Sequence, residues 1–230
     1  MSEHTHSPEH THRHGTEGHD PSRPVDPAMW TAGFWDERYG ATDAVWSGNP
    51  NRRLVEQVAD LAPGRAVDVG CGEGADAVWL AQQGWQVTGV DVSPVALQKA
   101  AAHAAAAGVA VEWALVDLVA GEGLPATYDL VSAHFLHPPV ELRGDVLRRL
   151  GAAVTVGGTL LYVGHHPQDL AARDQHAAML PLMSTPEDVV AHLDPATWDV
   201  RVAEVQTRRQ LVEGREVTVH DSVVRAVRIS

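Results

Sequence analysis

The chain has one cysteine, Cys71, so it has no internal disulfide, and its thiol usage fits a reducing compartment. It has no uninterrupted apolar run of bilayer-spanning length, and its polar N-terminus carries no apolar signal core. These absences predict a cytoplasmic protein with no membrane partner. Lys and Arg form no run, and the formal net charge is −13. An acidic chain repels phosphate backbones, which disfavours a nucleic-acid partner. What is present is a 230-residue chain with 44% hydrophobic residues, enough for one globular domain with extensions.

Three regions differ in composition. Residues 1–27 contain almost no apolar side chains and read as a disordered tail. This tail holds six of the fourteen histidines (His4, His6, His10, His12, His14 and His19), a set that suits weak binding of Ni, Zn or Cu but fixes no coordination geometry. No metal site is expected in the folded part. Residues 28–62 form a helical and aromatic cap segment containing Trp30, Phe34, Trp35, Tyr39 and Trp46. Its helix is predicted to begin at Pro50 behind an Asn49 cap and to run to about Leu61.

Residues 63–230 alternate short apolar strands with amphipathic helices. Strands are predicted at 66–69, 86–90, 111–116, 128–133 and 159–163, with helices at 74–83, from Pro94 to before Gly108, and over Leu142–Leu150 behind Pro138-Pro139. Thr185 caps a short helix. Two final strands, 199–207 and 216–225, meet near Gly214 with no room for a helix, so they pair antiparallel. The prediction is α/β: a Rossmann-like, seven-stranded, mostly parallel sheet with helices on both faces and a C-terminal antiparallel hairpin.

The stretch "AVDVGCGEGADAVWLA", Ala66 to Ala81, runs from strand through a glycine turn into a helix. Gly70, Gly72 and Ala75 fit the dinucleotide pattern G-x-G-x-x-G/A, whereas Asp68, Gly70, Gly72 and Gly74 fit D-x-G-x-G-x-G. An acid two residues before the turn works against a pyrophosphate. It suits S-adenosylmethionine, which has no phosphate and presents an amino group. Asp91 ends the second strand, where an acid binds ribose hydroxyls of either cofactor. Asp117 ends the third, where a carboxylate accepts from an adenine amine. Three acids thus line the edge where open α/β sheets bind ligands. Cys71 sits within the turn, at a position that demands a small residue.

With these residues in place, 66–164 resembles the class I S-adenosylmethionine-dependent methyltransferases: "VDVGCGEG" their first motif, "VTGVDVSP" the ribose-binding second, "ALVDL" the adenine region and "YDLVSAHFLHPP" the fourth strand. The resemblance implies cofactor contacts from Asp68, Gly70, Cys71, Gly72, Gly74, Asp91, Val92, Asp117, Leu118 and His134. "FWDERY" and "VWSGNPN" also resemble the thiopurine and tellurite-resistance methyltransferase group, which implies that Trp35, Tyr39 and Trp46 fold over the cofactor. An aromatic face attracts a sulfonium as it does any cation.

The expected function is methyl transfer to a small-molecule nucleophile: a thiol, a metalloid or another. His134 and His137 end the fourth strand, and His165 and His166 end the fifth. His134 and His165 are the candidate catalytic bases, since imidazole titrates near neutrality. His137-Pro-Pro-Val140 lacks the Asn or Asp and the aromatic ring of base-modifying N/D-P-P-aromatic motifs, a second argument against a nucleic-acid acceptor. Two alternatives stand: an NAD-dependent oxidoreductase, and a non-catalytic protein that binds S-adenosylmethionine or metal. The oligomeric state is not legible in the sequence.

Overall fold

The computed structural model describes residues 25–171, 179–212 and 215–230. The histidine-rich tail up to residue 24 and the turn at Gly214 lie outside the described residues. Seven strands form one sheet in the order β3-β2-β1-β4-β5-β7-β6. They are β1 (Arg65–Val69), β2 (Gln86–Asp91), β3 (Glu112–Leu115), β4 (Tyr128–His134), β5 (Val154–His165), β6 (Trp198–Val212) and β7 (Arg215–Arg228). All neighbouring pairs from β3 through β5 are parallel, and β7 is antiparallel to both β5 and β6.

Strand alternation splits the core into two. Val67, Val69, Val131 and Leu160 face one side and pack with Val146, Leu147 and Leu150 of α5 (Arg143–Ala152). Ala66, Leu130, Leu161 and Val163 face the other and pack with Leu54 and Val58 of α2 (Arg52–Val58) and Ala77 and Leu80 of α3 (Ala75–Gln82). Helices α1 (Ala32–Gly40), α4 (Pro94–Ala107), α6 (Pro167–Ala171) and α7 (Pro186–Val190) complete the described set. Helix α4 is built as predicted: Ser93 Oγ accepts from Ala96 N, Pro94 opens the helix, and Gly108 closes it in the left-handed conformation.

Several boundaries differ from expectation. Helix α2 is capped by Asn51, whose side chain accepts from Arg53 N, and not by Asn49; Pro50 lies outside the helix, which also stops at Val58. A cap must reach the N–H two or three residues on, and Asn51 does so after the proline has set the chain extended. Pro138-Pro139 does not start α5; Leu142 N donates to Pro139 O in an intervening turn. Gly74 is the N-cap of α3, with φ 80, and is not a helical residue. Strands β5, β6 and β7 are all longer than predicted.

The last difference shapes the molecule. His165, the end of β5, pairs with Asp221, and Asp221 pairs with Gln206. Everything beyond those pairs, 207–212 on β6 and 215–220 on β7, is an arm reaching past the C-terminal edge of the parallel strands.

Candidate functional site

The turn after β1 is forced by backbone geometry. Gly70, Gly72 and Gly74 have φ of 69°, 52° and 80°, a region L side chains rarely adopt. Gly70 N and Cys71 N both donate to Val90 O, which ties the turn to β2. A Cβ on Gly72 would stand 2.7 Å from the Tyr39 hydroxyl and 3.4 Å from Trp46 Nε1, so the aromatic cap closes directly onto the turn.

The acids at this edge differ in environment. Asp68 is 2% exposed, and its Oδ2 has no hydrogen-bond partner among the described residues. Burial, then the Asp76 and Asp91 charges, push its carboxyl well above the usual range, against one backbone bond from Ala77. Asp91 is also buried; its Oδ2 accepts from Gly72 N and its Oδ1 from Ser93 N, each at 2.9 Å. Burial raises its carboxyl, with those N–H bonds opposing. Val92 lies beside it, half-buried. Asp117 is half-buried and its Oδ1 caps Ala120 N, while Leu118 is buried in the α5-side core. Cys71 is buried, and burial raises its thiol.

Of the cap aromatics, Tyr39 is buried and its hydroxyl accepts from Trp46 Nε1 at 3.1 Å. Burial raises the Tyr39 hydroxyl. Trp35 packs on Tyr39 with ring centres 5.9 Å apart and is one step removed from the turn, and Arg38 lies over both Trp35 and Trp46. Polar bonds that sequence reasoning missed fasten this cap. Glu73 accepts from Val45 N and Trp46 N; Lys99 Nζ donates to Thr42 O, Asp43 O and Glu73; Asp36 accepts from Ser93 Oγ; Asp76 accepts from Asn51 N. Glu73 and Asp76 stand in or beside the glycine motif as charged residues the motif itself does not require, which is the signal that marks them.

The second half of the edge follows β4 and β5. His134 Nδ1 lies 2.7 Å from Asp76 Oδ2 and its Nε2 lies 3.1 Å from Ser132 Oγ, so both ring nitrogens are engaged. Phe135 has φ 53, the one non-glycine residue with positive φ among the described residues. Its ring stacks on His165 at 4.4 Å, and His165 stacks in turn on His137 at 5.4 Å. Burial, His165 and Arg143 lower the His137 imidazole to about 4, and burial lowers His165. His137 Nδ1 is buried with no partner among the described residues, and its carbonyl accepts from Trp30 Nε1 at 2.7 Å. Leu136 approaches Gly70, which sets this loop against the glycine turn. His166 instead accepts from Gln168 N at the start of α6.

A left-handed glycine turn, a buried carboxyl oxygen beside it with no partner among the described residues and a ring stack at the ends of β4 and β5 define a cofactor-binding α/β enzyme fold. Residues 66–158 match the methyltransferase domain family. The chain is 30% identical over 188 residues to the ubiquinone biosynthesis O-methyltransferase of Xylella fastidiosa, covering 66% of this chain and 75% of that one. The ubiquinone biosynthesis O-methyltransferases of Burkholderia orbicola are 33% identical over 112 residues, and the chain spans about half their length. Its fold is shared with a chain from a structure of the conversion of a disulfide bond into a thioacetal group during echinomycin biosynthesis (TM-score 0.68, 22% identity, covering 86% of this chain and 91% of that one). It is shared also with TehB from Haemophilus influenzae (TM-score 0.60, 14% identity, covering 84% and 66%). The chain belongs to the class I S-adenosylmethionine-dependent methyltransferases, and S-adenosylmethionine is the cofactor of that family.

Proposed function

We propose that this protein transfers the methyl group of S-adenosylmethionine to a hydroxyl oxygen of a small-molecule acceptor. The observation that carries the cofactor half is Asp68, whose buried Oδ2 has no partner among the described residues and lies beside a turn that glycines make at low cost. A buried acceptor left unpaired costs roughly 1–3 kcal/mol, and an amino group supplied by a ligand removes that cost. When bound, S-adenosylmethionine supplies a methyl already activated by a positive sulfur with a neutral thioether leaving group. Asp91 would hold the ribose, Asp117 and Leu118 the adenine, and Gly70, Cys71, Gly72 and Gly74 would let the backbone approach. Tyr39 and Trp46, with Trp35 behind them, cover the turn and keep water out.

The relatives support an oxygen acceptor, since they are O-methyltransferases by name; the thiol and metalloid acceptors expected from sequence receive no support from them. An oxygen nucleophile needs its proton removed or shared. His165 and His137, held neutral by burial, stand at that edge. A cytoplasmic enzyme is part of this reading, and the single cysteine supports it; no helix among the described residues is long and apolar enough to cross a membrane. The test is formation of S-adenosylhomocysteine with a panel of phenols, enols and alcohols set against thiols. Turnover confined to oxygen acceptors is expected. Turnover with thiols alone contradicts the reading, and cofactor binding with no turnover on any acceptor favours a binding protein.

A further inference from the structure

The Asp76–His134–Ser132 chain is an arrangement the methyl-transfer chemistry does not call for. Its spacing, 2.7 Å from Asp76 Oδ2 to His134 Nδ1 and 3.1 Å from His134 Nε2 to Ser132 Oγ, matches that of a hydrolytic acid–histidine–serine triad. Ser132 is fully buried within β4, so no substrate reaches its hydroxyl and nucleophilic chemistry is excluded. The His134 side chain is 6% exposed and has both nitrogens committed, which leaves it no free atom for an acceptor.

What the chain touches is the cofactor side. Asp76 lies in the first turn of α3, and the next residue, Ala77, supplies the backbone bond to Asp68. The second Asp76 oxygen accepts from Asn51 N at 2.5 Å, which joins the cap segment to the same point. Fixing Asp76 therefore fixes the N–H that orients the Asp68 carboxyl.

We propose that His134 is a positioning residue for the cofactor: by tying Asp76 to Ser132 it locks the start of α3 to β4 and holds the Asp68 carboxyl in its binding orientation. The proposal rests on the S-adenosylmethionine reading of the site. It assigns His134 to cofactor affinity and takes it out of the proton path.

The test compares His134→Ala, His134→Asn and Ser132→Ala in the full chain. Asn places its amide nitrogen where Nδ1 stands and keeps the bond to Asp76. A hydrogen bond to a charged group is worth roughly tenfold in affinity or more. His134→Ala is expected to weaken S-adenosylhomocysteine binding, read by calorimetry, about tenfold or more, and to raise KM for S-adenosylmethionine in step. Its kcat should stay within about threefold of wild type, with the same pH profile. His134→Asn should recover most of the lost affinity. If His134→Ala fails to fold, Ser132→Ala, which removes one bond only, should show the same partition at smaller amplitude. A kcat loss of about a hundredfold or more with unchanged cofactor affinity, loss of one limb of the pH profile and no rescue by Asn would make His134 a proton acceptor and overturn the proposal. Unchanged binding in all three variants overturns it equally. Wild-type protein that binds no S-adenosylhomocysteine overturns the cofactor reading itself, a result visible before any variant is made.

Discussion

The ends of β1 to β3 and the ends of β4 and β5 share one sheet edge, yet they are built by different means. At the first, backbone conformation does the work: three left-handed glycines, N–H groups aimed at Asp91 and a buried carboxyl with an unmet oxygen. At the second, side chains do it: the Phe135–His165–His137 ring stack, with the arm beyond it held by a buried ion cluster of Arg53, Asp221 and Arg208. Backbone-built sites tolerate few residue types and so leave a motif in the sequence. Side-chain-built sites can be assembled from many combinations, and they vary where the acceptor varies.

The largest expected effect tests whether the two halves are independent. Asp221 is 0% exposed and Arg53 is 4% exposed. Removing the carboxylate in Asp221→Ala leaves the buried Arg53 guanidinium with the half-exposed Glu56 but without its buried charge partner, a loss of about 3 kcal/mol in urea unfolding. S-adenosylhomocysteine affinity of the folded protein should nonetheless persist. An affinity loss as large as the stability loss would show that the halves act as one.

Gly72→Ala attacks the other half. Its Cβ would crowd the Tyr39 hydroxyl at a backbone angle alanine resists. Strain of this kind costs about 2–3 kcal/mol, or roughly 30- to 150-fold in S-adenosylhomocysteine affinity by calorimetry. The acceptor KM should move far less.

A smaller effect comes from His137, whose imidazole is lowered from 6.5 to about 4. A depressed folded-state value favours the neutral form, so its contribution is complete above about pH 6.5 and is lost as pH falls toward 4. Asp68 and Asp91, raised by burial, act in the opposite sense at acid pH, so the comparison must be between wild type and His137→Asn. Wild type should lose on the order of 1–2 kcal/mol more than the variant between pH 7 and pH 4.5 in denaturant titrations. Equal losses would mean the ring is not held neutral by the fold.

The smallest change is Trp30→Phe, which removes the bond to His137 O. About 1 kcal/mol of stability should go, with kcat reduced more than cofactor affinity, since the bond steadies the acceptor loop and not the turn.

The same division explains what the sequence made legible. The seven strands, the glycine turn, the Ser93 cap and the antiparallel pair follow from periodicity and from residues with narrow conformational roles; the order of the strands in the sheet comes from the structure alone. Sequence alone places the cap of α2 two residues early because Asn49 and Asn51 are both good caps and only the chain path chooses between them. The length of the arm is not legible because residues 208–215 alternate polar and apolar residues weakly, and pairing with a partner strand extends a hairpin beyond its own propensity. The Asp76–His134 bond was invisible for a simpler reason: its partners are 58 residues apart and each has a local explanation, a helix N-terminus and a strand end.

The central claim is that the Asp68 carboxyl and its glycine turn form an S-adenosylmethionine site. Calorimetric titration of the full chain with S-adenosylhomocysteine and, separately, with NADH tests it most directly, with Asp68→Asn alongside. The account predicts micromolar binding of S-adenosylhomocysteine, none of NADH, and a loss of about tenfold or more in the variant. Binding of NADH alone, or S-adenosylhomocysteine affinity indifferent to Asp68, would contradict it.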